Sequence, residues 1–305
     1  MINSLRLMDH REQVFLVDCG LTRSQRACLD GHVTLVPAAT DAHPALQRHV
    51  APLQYPSDVM VLLDTDVIVT RSLSDLISRA AAGKVVAFSN DHSRYFPEWS
   101  KVTNGRAPRR QPYVAAGHLF MAAEIGRHVL RSLQSGQERI DLRLTVLGHG
   151  TPADPFYLLE MDVLNAVLAA EFDINDLEVI DQALSPYTPF TGVRVVDERK
   201  LICRTADGRE PYFLHHVLGK PWLQATRDNV YSQLLSRLLL DTDVAIAVDP
   251  RDVPLRLRRG HLGRLARLRA SAHVAVRARV RGRLGVRRRL AARRRRLSLK
   301  RAPGA

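Results

Sequence analysis

An uninterrupted apolar run, Val59–Leu63, constrains the fold of this chain more than any other feature. A strand without polar residues is typical of burial on both faces, and such strands belong to the parallel sheets of α/β proteins. In open α/β sheets, ligands collect at the carboxyl ends of the strands. The residues that follow Leu63 are therefore the first candidates for a functional site.

Two carboxylates, Asp64 and Asp66, follow this run and are separated by Thr65. Side chains at positions i and i+2 of an extended segment point to the same side, so both carboxylates can approach one cation. Carboxylate oxygens suit Mg²⁺ or Mn²⁺, which also bind substrate phosphates. Taken alone, such a pair more often marks an acidic cap on the following helix, because short motifs are weak signals.

A second group of polar residues lies within residues 211–222, which read Pro-Tyr-Phe-Leu-His-His-Val-Leu-Gly-Lys-Pro-Trp. A short apolar strand here delivers His215 and His216, either of which could ligate a divalent metal as a neutral imidazole. Gly219 permits close backbone approach to a ligand, and Lys220 supplies a compact positive charge suited to a phosphate. The alternative is an edge strand followed by a turn, with the lysine in solvent.

Together the two segments resemble glycosyltransferase family 8, whose members are nucleotide-sugar-dependent retaining enzymes. The resemblance implies a glycosyltransferase A-type fold, in which an Asp-x-Asp and a His-x-x-Gly-x-x-Lys-Pro-Trp segment jointly hold Mn²⁺ and the diphosphate. On this basis the expected metal ligands are Asp64, Asp66 and His215, with Asp64 also contacting the nucleotide. Gly219 and Lys220 are expected to steady the diphosphate, although the interval from histidine to Lys-Pro-Trp is shorter here.

Two further stretches extend the resemblance and depart from the family at positions that face the sugar. One looks like the family's Tyr-x-Asn-x-Gly strand, but Ala115 replaces the asparagine. The other is similar to the helix that begins Asp-Gln-Asp, with Met161 in place of the glutamine. Glu160 and Asp162 keep carboxylates in this helix and are the expected catalytic residues. Asp91, which follows another predicted strand, could reach a hydroxyl of the donor sugar or cap a turn.

The beginning of the chain also departs from the family, whose domains start with a strand that receives the nucleotide base, then a helix. Residues 1–8 look like the end of that helix, and residues 13–18 look like the second strand. We therefore expect the sheet to lack its first strand. Losing a central strand exposes apolar surface and unpaired backbone groups, so a start upstream of Met1 is favoured over loss of a nucleotide-binding element.

The formal net charge of +14 is concentrated at one end of the chain. Residues 253–305 contain 19 Lys and Arg and no Asp or Glu, whereas residues 1–252 carry 26 basic and 31 acidic side chains. Prolines at positions 250 and 254 discourage a continuous helix across this boundary. We expect a catalytic domain over residues 1–252, followed by an Arg-rich basic tail over residues 253–305.

The composition of the tail favours an anionic membrane surface as its partner. Leucines and valines recur among its arginines at helical intervals, and basic amphipathic segments bind anionic lipid with about 1 kcal/mol for each Lys or Arg near the surface. A solvated extension and a nonspecific contact with nucleic acid are the alternatives. The tail has no aromatic residues and no recognisable reading module, so specific nucleic-acid recognition is not expected.

These observations predict an α/β fold with one mixed sheet flanked by helices. The resemblance implies metal-dependent transfer of a hexose from a nucleotide diphosphate donor, a UDP-hexose for instance, to a carbohydrate or lipid-linked acceptor. Three cysteines without Cys-x-x-Cys spacing, and no secretion signal, favour a cytoplasmic enzyme, peripheral at the inner membrane face through its tail. A haloacid-dehalogenase-type phosphatase, a non-catalytic relative that has lost transfer and a charge-driven surface binder remain alternatives.

Overall fold

Helices and strands alternate along the chain in the computed structural model, which describes residues 1–39, 43–217, 229–258, 260–266 and 268–269. The α-helices before residue 258 are α1 (Ile2–Leu7), α2 (Arg23–Leu29), α3 (Val50–Gln54), α4 (Ser74–Ala81), α5 (Ala123–Gln137), α6 (Glu160–Glu171) and α7 (Val230–Leu240). The strands are β1 (Phe15–Asp18), β2 (Thr34–Pro37), β3 (Val59–Leu63), β4 (Val67–Val69), β5 (Val85–Ser89), β6 (Val114–Ala122), β7 (Leu177–Ile180), β8 (Arg194–Asp197), β9 (Ile202–Arg204) and β10 (Phe213–His215).

The central sheet has four strands in the order β3, β6, β5, β7. β6 is antiparallel to both of its neighbours, whereas β5 and β7 are parallel, so the sheet is mixed. The predicted α/β class, with a mixed sheet flanked by helices, is confirmed. The parallel and doubly buried environment expected for β3 is wrong: β3 pairs antiparallel with β6, and Val61 on this strand is 36% exposed.

Three smaller strand pairs accompany this sheet. β1 and β2 are parallel, β4 and β10 are antiparallel, and β8 and β9 form a hairpin, as the sequence over residues 191–204 predicts. Within the described residues, no ladder joins the β1–β2 pair to the four-stranded sheet. The β4–β10 pair matters most for function, because β4 begins directly after Asp66 and β10 ends at His215.

Alternating side chains of β6 divide the core between the two faces of the central sheet. Leu119 and Met121 lie in one cluster with buried residues of α5 and α6. Phe120 lies in a second cluster, with Leu76 of α4 and Phe213 of β10. Because successive side chains of a strand point to opposite faces, a single strand anchors both layers. Helices therefore cover both faces of the central sheet.

Candidate active site

The candidate metal ligands come together because two short strands pair in a particular register. β4 is fully buried, and its ladder with β10 places His215 opposite Val67, next to Asp66. At the end of β3, the backbone N–H of Asp64 donates to the carbonyl of Gly117 at 2.8 Å. The two ladders therefore bring both carboxylates and the imidazole to one edge of the structure.

The three side chains converge on one point. Nε2 of His215 lies 3.1 Å from Oδ1 of Asp66 and 3.3 Å from Oδ2 of Asp64. One ligand atom from each residue lies within 4.8 Å of the other two. The side chains of His215 and Asp66 are 11% and 15% exposed, and that of Asp64 is 31% exposed. Two carboxylate oxygens and one imidazole nitrogen in a partly dry cleft fit the predicted divalent cation.

His216 does not share this position. It is fully buried, and its ring centroid lies 4.9 Å from that of Tyr231 and 5.9 Å from that of Phe190. Its backbone N–H donates to the carbonyl of Asp66 at 3.2 Å. The geometry therefore favours His215 over His216 as the ligand, a choice that the sequence leaves open.

Gly117 provides the space that the imidazole occupies. A Cβ at this position would lie 2.6 Å from Cε1 of His215 and 3.0 Å from Oδ2 of Asp64. Such close contacts are not tolerated, so a side chain here would displace one of the two ligands. Gly117, the glycine of the Tyr-x-Asn-x-Gly-like stretch, is therefore required here for steric reasons.

Arg48 is a member of the site that sequence reasoning missed. Its Nη2 donates to Oδ1 of Asp64 at 2.5 Å, and its Nη1 donates to the carbonyl of Ala116 at 2.5 Å. The Arg48 side chain is only 12% exposed. No motif surrounds this arginine in the sequence, and only the fold brings it to the end of β3. It adds a fixed positive charge next to the candidate metal ligands.

Arg48 and His215 together keep Asp64 ionised. Burial raises the pKa of the Asp64 carboxyl, but the charge of Arg48 and the hydrogen bond and charge of His215 outweigh it and hold that pKa well below its ordinary value. Asp64 is therefore a carboxylate at any physiological pH. An ionised carboxylate is the form that a metal ligand requires.

Glu160, the first residue of α6, is also influenced by the charges of Arg48 and Asp64. Burial raises its pKa to about 7; Arg48 opposes this rise, and Asp64 and Asp162 add to it. The preceding residue, Leu159, is buried and has φ +57° and ψ −125°, a backbone conformation that L-residues rarely adopt. Such strain costs about 1–3 kcal/mol and is often found at functional sites. The apolar residues from Phe156 to Ala170 predict a helix over residues 156–170, whereas α6 begins only at Glu160, directly after this strained residue.

Asp162 lies in a different position from the one expected of a residue that faces the sugar. It is fully buried, and its oxygens accept hydrogen bonds from Arg94, from the hydroxyl of Tyr113 at 2.8 Å and from the backbone N–H of Leu158 at 2.7 Å. A carboxylate offers about four acceptor positions, and these donors occupy them. The geometry gives Asp162 a structural role and leaves Glu160 as the acid of α6 that is coupled to the metal ligands.

The remaining residues named from the sequence are Asp91, Met161, Gly219 and Lys220. Asp91 is exposed, and the hydroxyl of Tyr187 donates to its Oδ2 at 2.7 Å, so it joins the end of β5 to the connection between β7 and β8. Met161 packs against the apolar core rather than standing free in a cleft. Gly219 and Lys220, the predicted diphosphate contacts, lie outside the described residues.

No family model matches the chain, and no match is found among curated proteins. Several solved structures of glycosyltransferases are similar to it. The galactosyltransferase LgtC in complex with donor and acceptor sugar analogs has 15% identity and a TM-score of 0.45, with 79% of this chain and 91% of that chain covered. The bifunctional glycosyltransferase WbbM has 15% identity and a TM-score of 0.48, with 80% and 47% covered.

The glycosyltransferase GlyE of Streptococcus pneumoniae TIGR4 has 15% identity and a TM-score of 0.44, with 79% of this chain and 56% of that chain covered. These structural neighbours are glycosyltransferases, and their likeness to this chain is low in both identity and TM-score. Membership of family 8 accordingly remains a resemblance carried by the sequence motifs.

Proposed function

We propose that the protein is a metal-dependent glycosyltransferase that moves a hexose from a nucleotide diphosphate sugar, a UDP-hexose for instance, to a carbohydrate or lipid-linked acceptor. The convergence of Asp64, Asp66 and His215 carries this proposal. It supports the Asp-x-Asp and histidine assignments, which were made from separate stretches of sequence. Retention of configuration at the anomeric carbon is implied by the family resemblance alone.

Asp64, Asp66 and His215 would hold Mn²⁺ or Mg²⁺, and the bound cation would neutralise charge on the diphosphate of the donor. The two carboxylates supply the oxygen ligands that these ions prefer, and the imidazole adds one nitrogen donor. Arg48 keeps Asp64 ionised in the absence of the ion and fixes the orientation of its carboxylate through Oδ1. In this proposal, Gly219 and Lys220 steady the diphosphate as it leaves, which places positive charge where negative charge develops.

Glu160 is the proposed sugar-facing residue. Burial raises its pKa to about 7, so in the absence of the ion its carboxyl can gain or lose a proton near neutral pH. A protonated carboxyl can donate a hydrogen bond to a sugar oxygen, and the ionised form can accept one from a hydroxyl. Asp162 supports it indirectly, by holding the first turn of α6.

The basic tail, residues 253–305, is proposed to hold this enzyme at the inner face of the membrane, next to an envelope or lipid-linked acceptor. Within the described parts of the chain, no helix is both long and apolar enough to span a bilayer. At the start of the tail, Leu262, Leu265 and Leu268 are 68%, 58% and 67% exposed. Exposed leucines at helical spacing, next to arginines, are typical of segments that lie on anionic lipid.

The test of the proposed activity is release of the nucleoside diphosphate from UDP-glucose and UDP-galactose in the presence of Mn²⁺. Asp66→Asn should reduce release at least about 100-fold, because an amide replaces a charged ligand. Asp58→Asn, an exposed change at the opposite end of β3, is the matched control and should retain activity. Melting temperatures of both variants should stay close to that of the wild type.

The same preparation distinguishes the competing functions. Hydrolysis of p-nitrophenyl phosphate in preference to the nucleotide sugars would favour a phosphatase. Binding of Mn²⁺ that depends on Asp66, without release from any nucleotide sugar, would indicate a relative that has lost transfer. Full activity of Asp66→Asn would refute the assigned metal site.

A further inference from the structure

A buried arginine, Arg94, links the β5–β6 connection to the segment that leads into α6. Its side chain is only 9% exposed and comes from the connection between β5 and β6. Nε and Nη2 donate to the two oxygens of Asp162 at 2.7 and 2.9 Å, which is a bidentate pair. The guanidinium carbon also lies 5.0 Å from the ring centroid of Phe96, so the side chain is held from two directions.

The same guanidinium fixes the segment that leads into α6. Nη1 donates to the carbonyl of Pro152 at 2.7 Å, and Nη2 donates to the carbonyl of Asp154 at 2.8 Å. Trp99, from the same connection as Arg94, donates from its indole N–H to the carbonyl of Pro155 at 2.8 Å. The carbonyls of this short segment are thus held by side chains of the β5–β6 connection.

These contacts fix the backbone on either side of Glu160. The segment ends at Leu159, whose positive φ turns the chain into the first residue of α6. Asp162 holds the same turn by accepting the backbone N–H of Leu158 at 2.7 Å. Glu160 lies between these two fixed points, and the charges that act on it are Arg48, Asp64 and Asp162.

We propose that Arg94 is a positioning residue, which acts through Asp162 and the carbonyls of Pro152 and Asp154 to fix the first turn of α6 and, with it, the position of Glu160. This inference rests on the proposed function for its effect on turnover. Arg94 touches no reacting atom. It fixes the entry to α6, and loss of its planar, bidentate contact would let that entry relax and admit water around Glu160.

Arg94→Lys tests the proposal, because lysine keeps the charge but cannot make the bidentate contact and both carbonyl contacts at once. The matched control is Arg106→Lys, an exposed position in the same β5–β6 connection. Tyr113→Phe removes a single donor to Asp162 and provides a milder variant if Arg94→Lys does not fold.

The first readout is the titration of the Glu160 carboxyl, followed by NMR in protein labelled with ¹³C glutamate and assigned with Glu160→Gln. In the wild type it should titrate near 7. In Arg94→Lys its midpoint should fall towards the ordinary value of 4.5, and in Tyr113→Phe it should fall by less. Arg106→Lys should leave it unchanged.

The second readout is the release of nucleoside diphosphate from the donor. In Arg94→Lys, kcat should fall at least about tenfold, since small misplacements of active-site groups have large effects. Both the donor KM and the affinity for Mn²⁺ should stay within about twofold, because Asp64, Asp66 and His215 do not contact Arg94.

An unchanged Glu160 midpoint in Arg94→Lys and Tyr113→Phe would overturn the positioning role, even if activity fell, since a merely destabilised fold lowers activity without moving that midpoint. A kcat equal to that of Arg106→Lys would also overturn it. If the wild type releases no nucleotide, the proposed function fails, whereas the titration still decides whether Arg94 positions Glu160.

Discussion

Asp64 and Glu160 are two acids coupled to the same guanidinium, that of Arg48, and their surroundings drive their pKa values in opposite directions. For Asp64, direct contact with Arg48 and His215 outweighs the effect of burial. For Glu160, the effect of burial outweighs the charge of Arg48 and a backbone hydrogen bond, so its pKa rises to about 7. Neighbouring acids with separated pKa values can take different roles in one reaction, one as a permanent anion and one as a proton carrier.

The raised pKa of Glu160 predicts a pH-dependent stability. Between its ordinary pKa of 4.5 and about 7, the unfolded chain loses this proton while the folded protein keeps it. The free energy of unfolding should therefore fall by about 2–3 kcal/mol as pH rises through this window. Glu160→Gln removes the titration, so the variant should gain stability relative to the wild type at pH 8 compared with pH 4.5.

Urea unfolding of both proteins at pH 4.5 and pH 8, with chelator present, measures this difference. Glu124→Gln, an exposed change on α5, is the control and should give the same difference from the wild type at both pH values. A Glu160→Gln difference that does not change with pH would contradict the raised pKa.

The residues of the site differ in how far sequence could predict them. Asp64 and Asp66 can be predicted as candidate ligands because two carboxylates after an apolar run form a local sequence pattern. His215 can be predicted because it ends a short apolar strand. Arg48 cannot be predicted in this way, because its contact with Asp64 spans 16 residues and depends on how the segment before α3 packs against the end of β3. Asp162 shows the reverse case: its motif position suggests catalysis, but only the fold reveals the buried donors that surround it.

Among the secondary-structure elements, the short helix α1 connects two distant parts of the chain through its polar side chains. The side chain of Asn3, 8% exposed, donates to the carbonyls of Leu238 and Ile246 at 2.8 and 2.9 Å and accepts from the N–H of Ile246 at 2.8 Å. Oγ of Ser4 accepts from the N–H of Val69, the last residue of β4, at 3.0 Å. This helix therefore joins the strand that follows Asp66 to the end of α7.

Asn3→Ala should destabilise the protein by about 2–3 kcal/mol, because it leaves buried backbone groups of Leu238 and Ile246 without their partner. Asn175→Ala, at an exposed position, is the control and should change the free energy of unfolding by less than about 0.5 kcal/mol. Chemical denaturation at pH 7 gives both values. Equal stability of the two variants would show that the Asn3 contacts contribute nothing to the fold.

The positions of strands and helices along the chain could be predicted from the sequence more readily than the pairing of the strands. The strands over Val59–Leu63 and Val85–Ser89, the hairpin of β8 and β9 and the helix before residue 241 follow from apolar periodicity and turn residues. The antiparallel partner of β3 does not, because an apolar run carries no information on the direction of its neighbour. The late start of α6 also escapes periodicity, since the contacts of Arg94 and the backbone of Leu159 decide it.

In the molecule as a whole, the excess of positive charge lies in the residues that follow the buried core in the sequence. Val253 and Leu257 are 1% and 2% exposed, so the packed structure extends past residue 252, where the tail was predicted to begin. The boundary at residue 252 stays a prediction, and a deletion intended to spare the core should begin after Arg258. Residues 260–305 contain 16 of the 45 Lys and Arg of the chain and no acidic residue.

Deletion of residues 260–305 should abolish co-sedimentation with anionic vesicles while the remaining chain still releases nucleotide from the donor. Attraction between exposed charges is screened over about 8 Å at physiological ionic strength, so binding of the full chain should weaken steeply with added salt and nearly vanish on neutral vesicles. Replacing Leu262, Leu265 and Leu268 together by alanine separates the two contributions: if charge dominates, most binding remains. Strong binding to neutral lipid would indicate insertion of these leucines, and preference for nucleic acid over vesicles at equal salt would contradict the proposed partner.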